Sequence, residues 1–332
     1  MSAPYGRTVL TGNAAGPVPS GRRPVLLAVL GASCISASAV LVKLANTGAA
    51  TVGVYRCVLA LPVLAALAVL EQRRHGPRRP AARLGAVLAG LFLAVDLVLW
   101  NHAIAEVGAG IATVLGNLQV LFIAFTAWIL FRERPGRMFL IALPVVMAGV
   151  VLVSGLVGST ERGIHPAAGI VYGIGTSIAY TGFLLILRRT STGTPHVAGP
   201  LAEATAGAAV GALLLGLAFG GLQFEIPWPS FWWLLLLSVT SQTIGWLLIT
   251  SSLPKLPAAV SSLLLLLQPA ASVLLAAVVL AERPTAIQLA GAVLVCSGAL
   301  AVSLAATSRR RQPDRGPGPD QVQPVSSPAL RT

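Results

Sequence analysis

The sequence predicts an all-α, polytopic membrane protein whose ten transmembrane helices form two inverted five-helix repeats. Of the 332 residues, 55% are hydrophobic and only 10% are charged, whereas charged residues make up about 25% of soluble domains. The apolar residues form ten runs of about 20 residues, the helical length that crosses a bilayer core of about 30 Å. An internal repeat is the third observation. So few charges could not cover the surface of a water-soluble enzyme, and that class is excluded.

The ten spans follow one another with short loops, because Gly, Pro or charged residues separate the apolar runs. Segments 1–24 and 307–332 contain many Pro, Gly, Ser or Arg residues and few apolar ones, so we expect both to be disordered. A cleaved signal peptide over 25–39 is an alternative for the first run, but the apolar residues continue past its end. The spans are 25–44, 51–70, 84–104, 109–131, 139–157, 167–187, 197–219, 230–250, 258–280 and 286–306.

The distribution of Lys and Arg predicts that both termini are cytoplasmic, because positive charges resist translocation. With the N-terminus inside, 19 of the 23 Lys and Arg residues lie in cytoplasmic segments, two in outer loops and two within spans. This distribution explains the net charge of +13 without a nucleic-acid partner. Abundant Ala, Gly and Arg together with short loops favour a bacterial cytoplasmic (inner) membrane.

The second half of the chain repeats the first at a constant offset of 149 residues. The offset pairs Gln119 with Gln268, Gly149 with Gly298, and two Glu-Arg-Pro triplets with each other. Because the offset maps five spans onto the next five, and five is odd, the second copy enters the membrane from the opposite face. The two repeats are therefore inverted, as in many transporters.

At these residues the sequence resembles the EamA-type members of the drug/metabolite transporter superfamily over about residues 25–306. The first half follows the pattern less fully, because Val120 stands where the family usually has a central Pro, and Met138 where Gln is expected. The resemblance implies one five-helix repeat over 25–157 and another over 167–306. It also implies a transporter of small molecules, with export ahead of uptake. The second-half residues that carry the resemblance are Leu256-Pro257-Ala258-Ala259-Val260-Ser261-Ser262-Leu263, Gln268-Pro269, Leu280-Ala281-Glu282-Arg283-Pro284, Gln288-Leu289-Ala290-Gly291 and Ser297-Gly298.

Ionisable side chains at membrane depth are costly and therefore candidates for function. By helical rise, Arg56 lies about 8 Å and Asp96 about 12 Å from the outer ends of spans two and three. They could form a buried ion pair, or bind a zwitterionic substrate together, with Arg56 on a carboxylate and Asp96 on an amine. Asp96 and Glu203 are also candidates for proton coupling. Glu203 could instead extend toward the cytoplasmic surface.

Two glutamines occupy symmetry-related positions near the membrane midplane, where inverted-repeat transporters bind their substrates. Gln119 lies in span four and Gln268 in span nine. Each is a candidate substrate contact, with a hydrogen bond between helices as the alternative. Pro269, next to Gln268, removes a backbone donor and predicts a kink in span nine.

Aromatic and polar side chains at helical spacing extend the predicted substrate site, although such stripes also serve packing. Tyr172 and Tyr180 share a face of span six, and Gln242 and Trp246 share a face of span eight. Trp100 in span three is a further candidate, or part of the aromatic belt at the interface. Gly-x-x-x-Gly motifs indicate close helix contacts, either within the chain or in a homodimer.

The sequence therefore predicts a secondary transporter that works by alternating access around a midplane cavity lined by spans one to four and six to nine. We expect it to export a small polar or amphipathic metabolite, such as an amino acid or a drug-like compound. Uptake and facilitated diffusion are alternatives. Rival classes are an intramembrane enzyme, a channel and a membrane scaffold. Neither a cofactor nor a metal is expected, because the four His are scattered and no catalytic motif occurs. The substrate and the lipid bilayer are the predicted partners.

Overall fold

A computed structural model describes residues 23–154, 165–281 and 283–309, and these residues fold into helices joined by short connections. Eight helical stretches within this part of the chain are long and apolar enough to cross a membrane, and two shorter apolar helices accompany them. The all-α architecture and the ten helical spans that the sequence predicts are thereby confirmed. The expected terminal tails lie almost entirely outside the described residues.

The first half of the chain contains five helices in chain order. Each begins and ends within a few residues of a run that hydropathy predicts, apart from a junction between spans three and four. The helices are α1 (Arg23–Ala45), α2 (Ala49–His75), α3 (Pro80–Asn117), α4 (Gln119–Phe131) and α5 (Arg137–Val153).

The second half is divided into more segments. A π-helical segment, Ser238–Gly245, joins α8 to α9, and a 3₁₀ turn, Leu253–Lys255, follows α9. Together these pieces form one span, Trp228–Lys255. The helices are α6 (Pro166–Ser191), α7 (Ala198–Phe219), α8 (Trp228–Leu237), α9 (Trp246–Ser252), α10 (Ala258–Leu265), α11 (Leu267–Val279) and α12 (Ala286–Arg309).

Helix α3 is hydrogen-bonded as one continuous element, but it folds back on itself. Sixteen residues of straight helix would separate Trp100 from Gly116 by about 24 Å. Instead, a methyl group at Gly116 would lie 3.7 Å from the Trp100 ring. The chain therefore reverses between Ile104 and Ile111, which are the ends of two successive candidate spans. Spans three and four are thus two antiparallel arms, as the hydropathy pattern predicts.

Spans four and nine are each interrupted near their middle by a single residue. Leu118 separates α3 from α4, and Leu266 separates α10 from α11. The backbone ψ angle is −14° at Leu118 and −9° at Leu266, and each amide donates to the third preceding carbonyl at 3.1 Å. The two breaks correspond to within one residue under the repeat offset. The second lies three residues before Pro269, whereas the first occurs without a proline.

The two repeats pack against each other along their length. Helix α3 lies against α6 and α7, α2 against α7, α5 against α12, and α1 against the span that contains α8 and α9. The α3–α7 crossing brings backbones together. A methyl group at Gly90 would lie 1.9 Å from the Ala204 carbonyl oxygen, and one at Gly207 would lie 2.3 Å from that of Val87. Only glycine permits this approach at these positions.

The Gly-x-x-x-Gly motifs serve contacts within the chain. Gly169 lies against Val107, and a methyl group there would be 2.2 Å from a Val107 side-chain carbon. Gly173 lies against Leu115 at 2.6 Å on the same measure, and Gly207 contacts α3 as described above. These glycines therefore explain the packing of one chain, and the homodimer that they suggest in the sequence stays a prediction.

Candidate functional site

A polar cluster lies inside the bundle where both repeats meet. Arg56 of α2 donates its Nε hydrogen to Oε1 of Gln242 at 3.1 Å, and Nε2 of Gln242 donates to Oγ1 of Thr205 at 3.2 Å. Gln242 is only 1% exposed and Thr205 only 1%. Arg56 comes from the first repeat and the other two residues from the second, so this short hydrogen-bond chain crosses the repeat interface.

The π-helical segment explains how Gln242 reaches Arg56. It packs closely on α1, since a methyl group at Gly31 would lie 2.9 Å from the Gly245 carbonyl oxygen. Within the segment, the Thr243 hydroxyl donates to the Ser238 carbonyl, five residues back, at 3.0 Å. A π-helical turn changes the direction of every side chain that follows it, and such turns occur often at functional sites.

Asp96 of α3 faces the same cluster. The carboxylate and the Arg56 guanidinium attract each other electrostatically. Even so, no ion pair within 4 Å joins them among the described residues, and Asp96 is 8% exposed. The buried ion pair, one of the two predicted arrangements, is therefore not formed in this conformation. Two opposite charges inside a bundle that form no direct ion pair are expensive, and a bound group that carries both charges would satisfy them.

An aromatic wall adjoins the charged groups. The ring centroids of Phe183 and Trp246 are 4.8 Å apart, and Tyr180 lies 5.8 Å from Phe183 and 6.4 Å from Trp246. The Tyr180 side chain also lies near that of Gln268 and near the charges of Arg56 and Asp96. Rings with edge-on contacts hold one another in place and give a site a rigid apolar side.

Three of the predicted substrate-binding residues make no hydrogen bond or ring contact with this cluster within the described part of the chain. Gln119 is 8% exposed in the first turn of α4, and no hydrogen bond within the described residues engages its side chain. Trp100 is 38% exposed beside Gly116. Tyr172 packs on His102 with ring centroids 5.4 Å apart, about two turns of α6 from Tyr180.

Two arginines pair with the carboxylate of Glu203. This residue lies at the end of the bundle that carries most of the basic residues. It accepts a hydrogen bond from Nε of Arg83 at 3.0 Å and is paired with Arg78. The Glu203 side chain is 13% exposed and that of Arg78 is 1% exposed. Proton coupling through Glu203 stays a prediction, and any such role would have to release these two partners.

A cavity of about 220 Å³ opens near the other end of the bundle, between α2, α3 and α7. Its wall includes Gly53, three residues from Arg56, and Leu97, next to Asp96. Asn101 and His102 supply polar groups to a lining that is otherwise mostly apolar. The cavity therefore comes close to the polar cluster from the face opposite the basic residues.

Sequence reasoning missed several residues that shape the site. Thr205 holds Gln242, Phe183 completes the aromatic wall, and Ser177 of α6 donates to the carbonyl oxygens of Leu115 and Gly116 at 2.5 and 2.9 Å. None of them is charged, so their positions inside a span have no large free-energy cost that would make them stand out in the sequence. In the described ranges no three His, Cys, Asp or Glu residues come together as a metal ion would require.

The comparisons with known proteins identify the family. The model of the EamA-like transporter family matches residues 22–155 and matches again over residues 167–304. These two matches cover both five-helix halves. The chain belongs to the EamA-like transporter family. The resemblance to EamA-type drug/metabolite transporters is thereby confirmed, and this EamA-like protein is an integral membrane transporter.

Solved structures agree on the fold of this EamA-like transporter. One, described as a crystal structure of a protein, aligns with a TM-score of 0.72 at 18% sequence identity. The alignment covers 85% of this chain and 99% of the other. At that identity the likeness concerns the fold alone. No curated protein matches the chain in sequence.

Proposed function

We propose that this EamA-like transporter exports a small polar or amphipathic metabolite by alternating access, with the central polar cluster as its substrate site. The observation that carries the proposal is that two opposite charges, Arg56 and Asp96, lie inside the bundle where the two repeats meet and form no ion pair with each other. Inverted-repeat transporters bind substrates at the midplane between their repeats.

The chemistry of the cluster favours a substrate that carries both a carboxylate and an amine. Nε of Arg56 is engaged by Gln242, and its terminal nitrogens make no hydrogen bond within the described residues. An arginine with both terminal nitrogens available binds a carboxylate in a bidentate way. Asp96 supplies the charge for an amine, and the wall of Tyr180, Phe183 and Trp246 would cover an apolar body.

We further propose that the membrane is the bacterial inner membrane, with both termini in the cytoplasm. The excess of Lys and Arg on one face of the spans supports this orientation. Proton coupling is a separate proposal, with Asp96 as the better candidate because the carboxylate of Glu203 is already paired. Transport that does not respond to an imposed pH gradient would contradict it.

The test compares the metabolites that accumulate in the medium of cells making the wild type, Arg56→Gln or Asp96→Asn at equal membrane yield. Removing one group of a buried charged site costs about 2–5 kcal/mol, so we expect each variant to export about thirtyfold less or worse. Arg73→Gln and Glu106→Gln are matched controls, because Arg73 is exposed near the end of α2 and Glu106 lies far along α3 from Asp96.

The outcomes separate the alternatives. A zwitterionic compound enriched outside only with the wild type and the controls supports export and names the substrate class. A compound depleted from the medium in the same pattern supports uptake instead. If the wild type and empty cells give the same medium, export is contradicted and the scaffold hypothesis gains. Unchanged export by both charge variants would remove the cluster from the site.

A further inference from the structure

Three carboxylates on the basic face of the bundle connect the first repeat to the second. The basic face is the end at which α2, α4 and α6 finish and α7 and α10 begin. At this face Glu71, near the end of α2, accepts hydrogen bonds from the backbone amides of Val197, Ala198 and Gly199 at 3.0, 2.9 and 2.9 Å. These amides open α7, where the helix leaves its first donors unpaired and favours negative charge.

Glu133, after α4, makes the second connection. Its Oε2 accepts from the backbone amide of Ala258 at the start of α10 at 3.0 Å, and its Oε1 accepts from Nη2 of Arg188 at 2.7 Å. Arg188 also donates to the carbonyls of Leu253 and Leu256 at 3.2 and 3.1 Å. One carboxylate from the first repeat therefore ties together the end of α6, the turn after α9 and the start of α10.

Glu203 makes the third connection in the opposite sense. It belongs to α7 of the second repeat, and its partners Arg78 and Arg83 belong to the first. The Arg78 side chain also donates to the Thr190 carbonyl at 3.1 Å. Hydrogen bonds between charged groups are stronger than neutral ones, and partial burial protects them from screening by salt.

The contacts described across the opposite face are between neutral or exposed groups. Across it, Thr51 donates to the Gly221 carbonyl at 3.3 Å and Tyr55 to the Phe224 carbonyl at 3.0 Å, and both are neutral. His165 also contacts Glu106 at this face at 2.9 Å, and the His165 side chain is 71% exposed. The cavity near Arg56 and Asp96 also lies toward this face.

We propose that Glu71, Glu133 and Glu203, with their partners, form a clasp that keeps the basic face closed in this conformation. The inference rests on the alternating access of the proposed function and goes beyond it, because it states which face is closed and what must part. For the polar cluster to reach the basic face, the three connections have to break. Their strength sets how often that face opens.

The test measures opening directly with a cysteine reporter. Ser252 is 1% exposed and adjoins Leu253, whose carbonyl Arg188 binds. Ser252→Cys is introduced after Cys34, Cys57 and Cys296 have been replaced by Ala, and its rate of labelling by N-ethylmaleimide is measured on the purified full chain.

We expect labelling to be about ten- to a hundredfold faster with Glu133→Gln or Glu71→Gln, since removing a charge-assisted contact raises the open fraction by that order. Glu106→Gln is the matched control, because it removes a carboxylate of the opposite face, and its rate should equal that of the parent. If the first two variants do not fold, Arg83→Ala is used instead, because it removes only the exposed partner of Glu203. This variant should still raise the labelling rate two- to threefold, the order expected for an exposed ion pair.

Two results would overturn the clasp. One is a labelling rate in every folded clasp variant that equals the parent. The other is an equal increase in the Glu106→Gln control, which would indicate general loosening rather than opening of the basic face. The readout needs no substrate. If labelling contradicts the clasp, the transport proposal is not affected. If no transport is detected, the clasp can still be measured by labelling.

Discussion

The two repeats share a fold but contribute different chemistry to the central cluster. The first repeat supplies its charges, Arg56 and Asp96, whereas the second supplies neutral partners and rings, among them Tyr180, Gln242 and Trp246. Duplication therefore preserved helix packing, which depends on apolar and small residues, while the polar positions diverged. A symmetric frame with an asymmetric centre can bind a substrate that has two different ends.

The same contrast recurs in the broken spans. Span nine is interrupted beside Pro269, whose missing amide cannot continue the helix. Span four is interrupted at the corresponding place with Val120 in that position, and Ser177 donates to the carbonyls of Leu115 and Gly116 just before the break. One repeat encodes the break within its own span, and the other depends on a side chain from the opposite repeat.

The largest predicted effect concerns the backbone contact that holds the repeats together. Gly90→Ala places a methyl group 1.9 Å from the Ala204 carbonyl oxygen, so α3 and α7 must separate. Overpacking of this kind costs about 1–3 kcal/mol and sometimes more, and we expect a marked drop in the unfolding midpoint in detergent.

Gly53→Ala is the control for that prediction. A methyl group there meets ordinary contacts at 3.7 and 3.9 Å, and alanine favours a helix over glycine by about 1 kcal/mol. The midpoint should therefore stay the same or rise. Equal losses in both variants would show that the α3–α7 crossing is no tighter than other helix contacts.

The second prediction tests whether Gln242 of the second repeat positions the guanidinium group of Arg56 in the first. Gln242→Glu preserves shape but places a carboxylate against Nε of Arg56, now 3.1 Å from the Gln242 oxygen. The new ion pair should compete with the substrate carboxylate and reduce transport by about ten- to a hundredfold, the range of a charge-assisted bond. Thr205→Val, which only loosens Gln242, should cost less. Transport by Gln242→Glu at the rate of the wild type would contradict the positioning role.

A feature of this structure could be predicted from the sequence when placing its residues in a membrane carries a free-energy cost. Apolar runs and basic loops predict the spans because exposed backbone and buried charge are expensive in a bilayer. Arg56 and Asp96 stand out for the same reason. The hydrogen bond that Arg56 donates to Gln242 could not be foreseen, because Gln242 lies in a π-helical segment that packs against Gly31, a residue distant in sequence. The break at Leu118 depends on Ser177, which is distant in sequence.

The smallest predicted effect distinguishes the two broken spans. Ser177→Ala removes the hydroxyl that donates to the Leu115 and Gly116 carbonyls, and hydrogen bonds between membrane helices contribute about 0.6–2 kcal/mol. We expect a loss of stability of that order.

Pro269→Ala is the matching change in span nine. It restores an amide in the first turn of α11, where backbone amides have no carbonyl partner within the helix, so its effect on the unfolding midpoint should be close to zero. Both midpoints are measured in one detergent at equal purity. A larger loss for Pro269→Ala than for Ser177→Ala would contradict this order of effects and show that the second break needs its proline for stability as well as for shape.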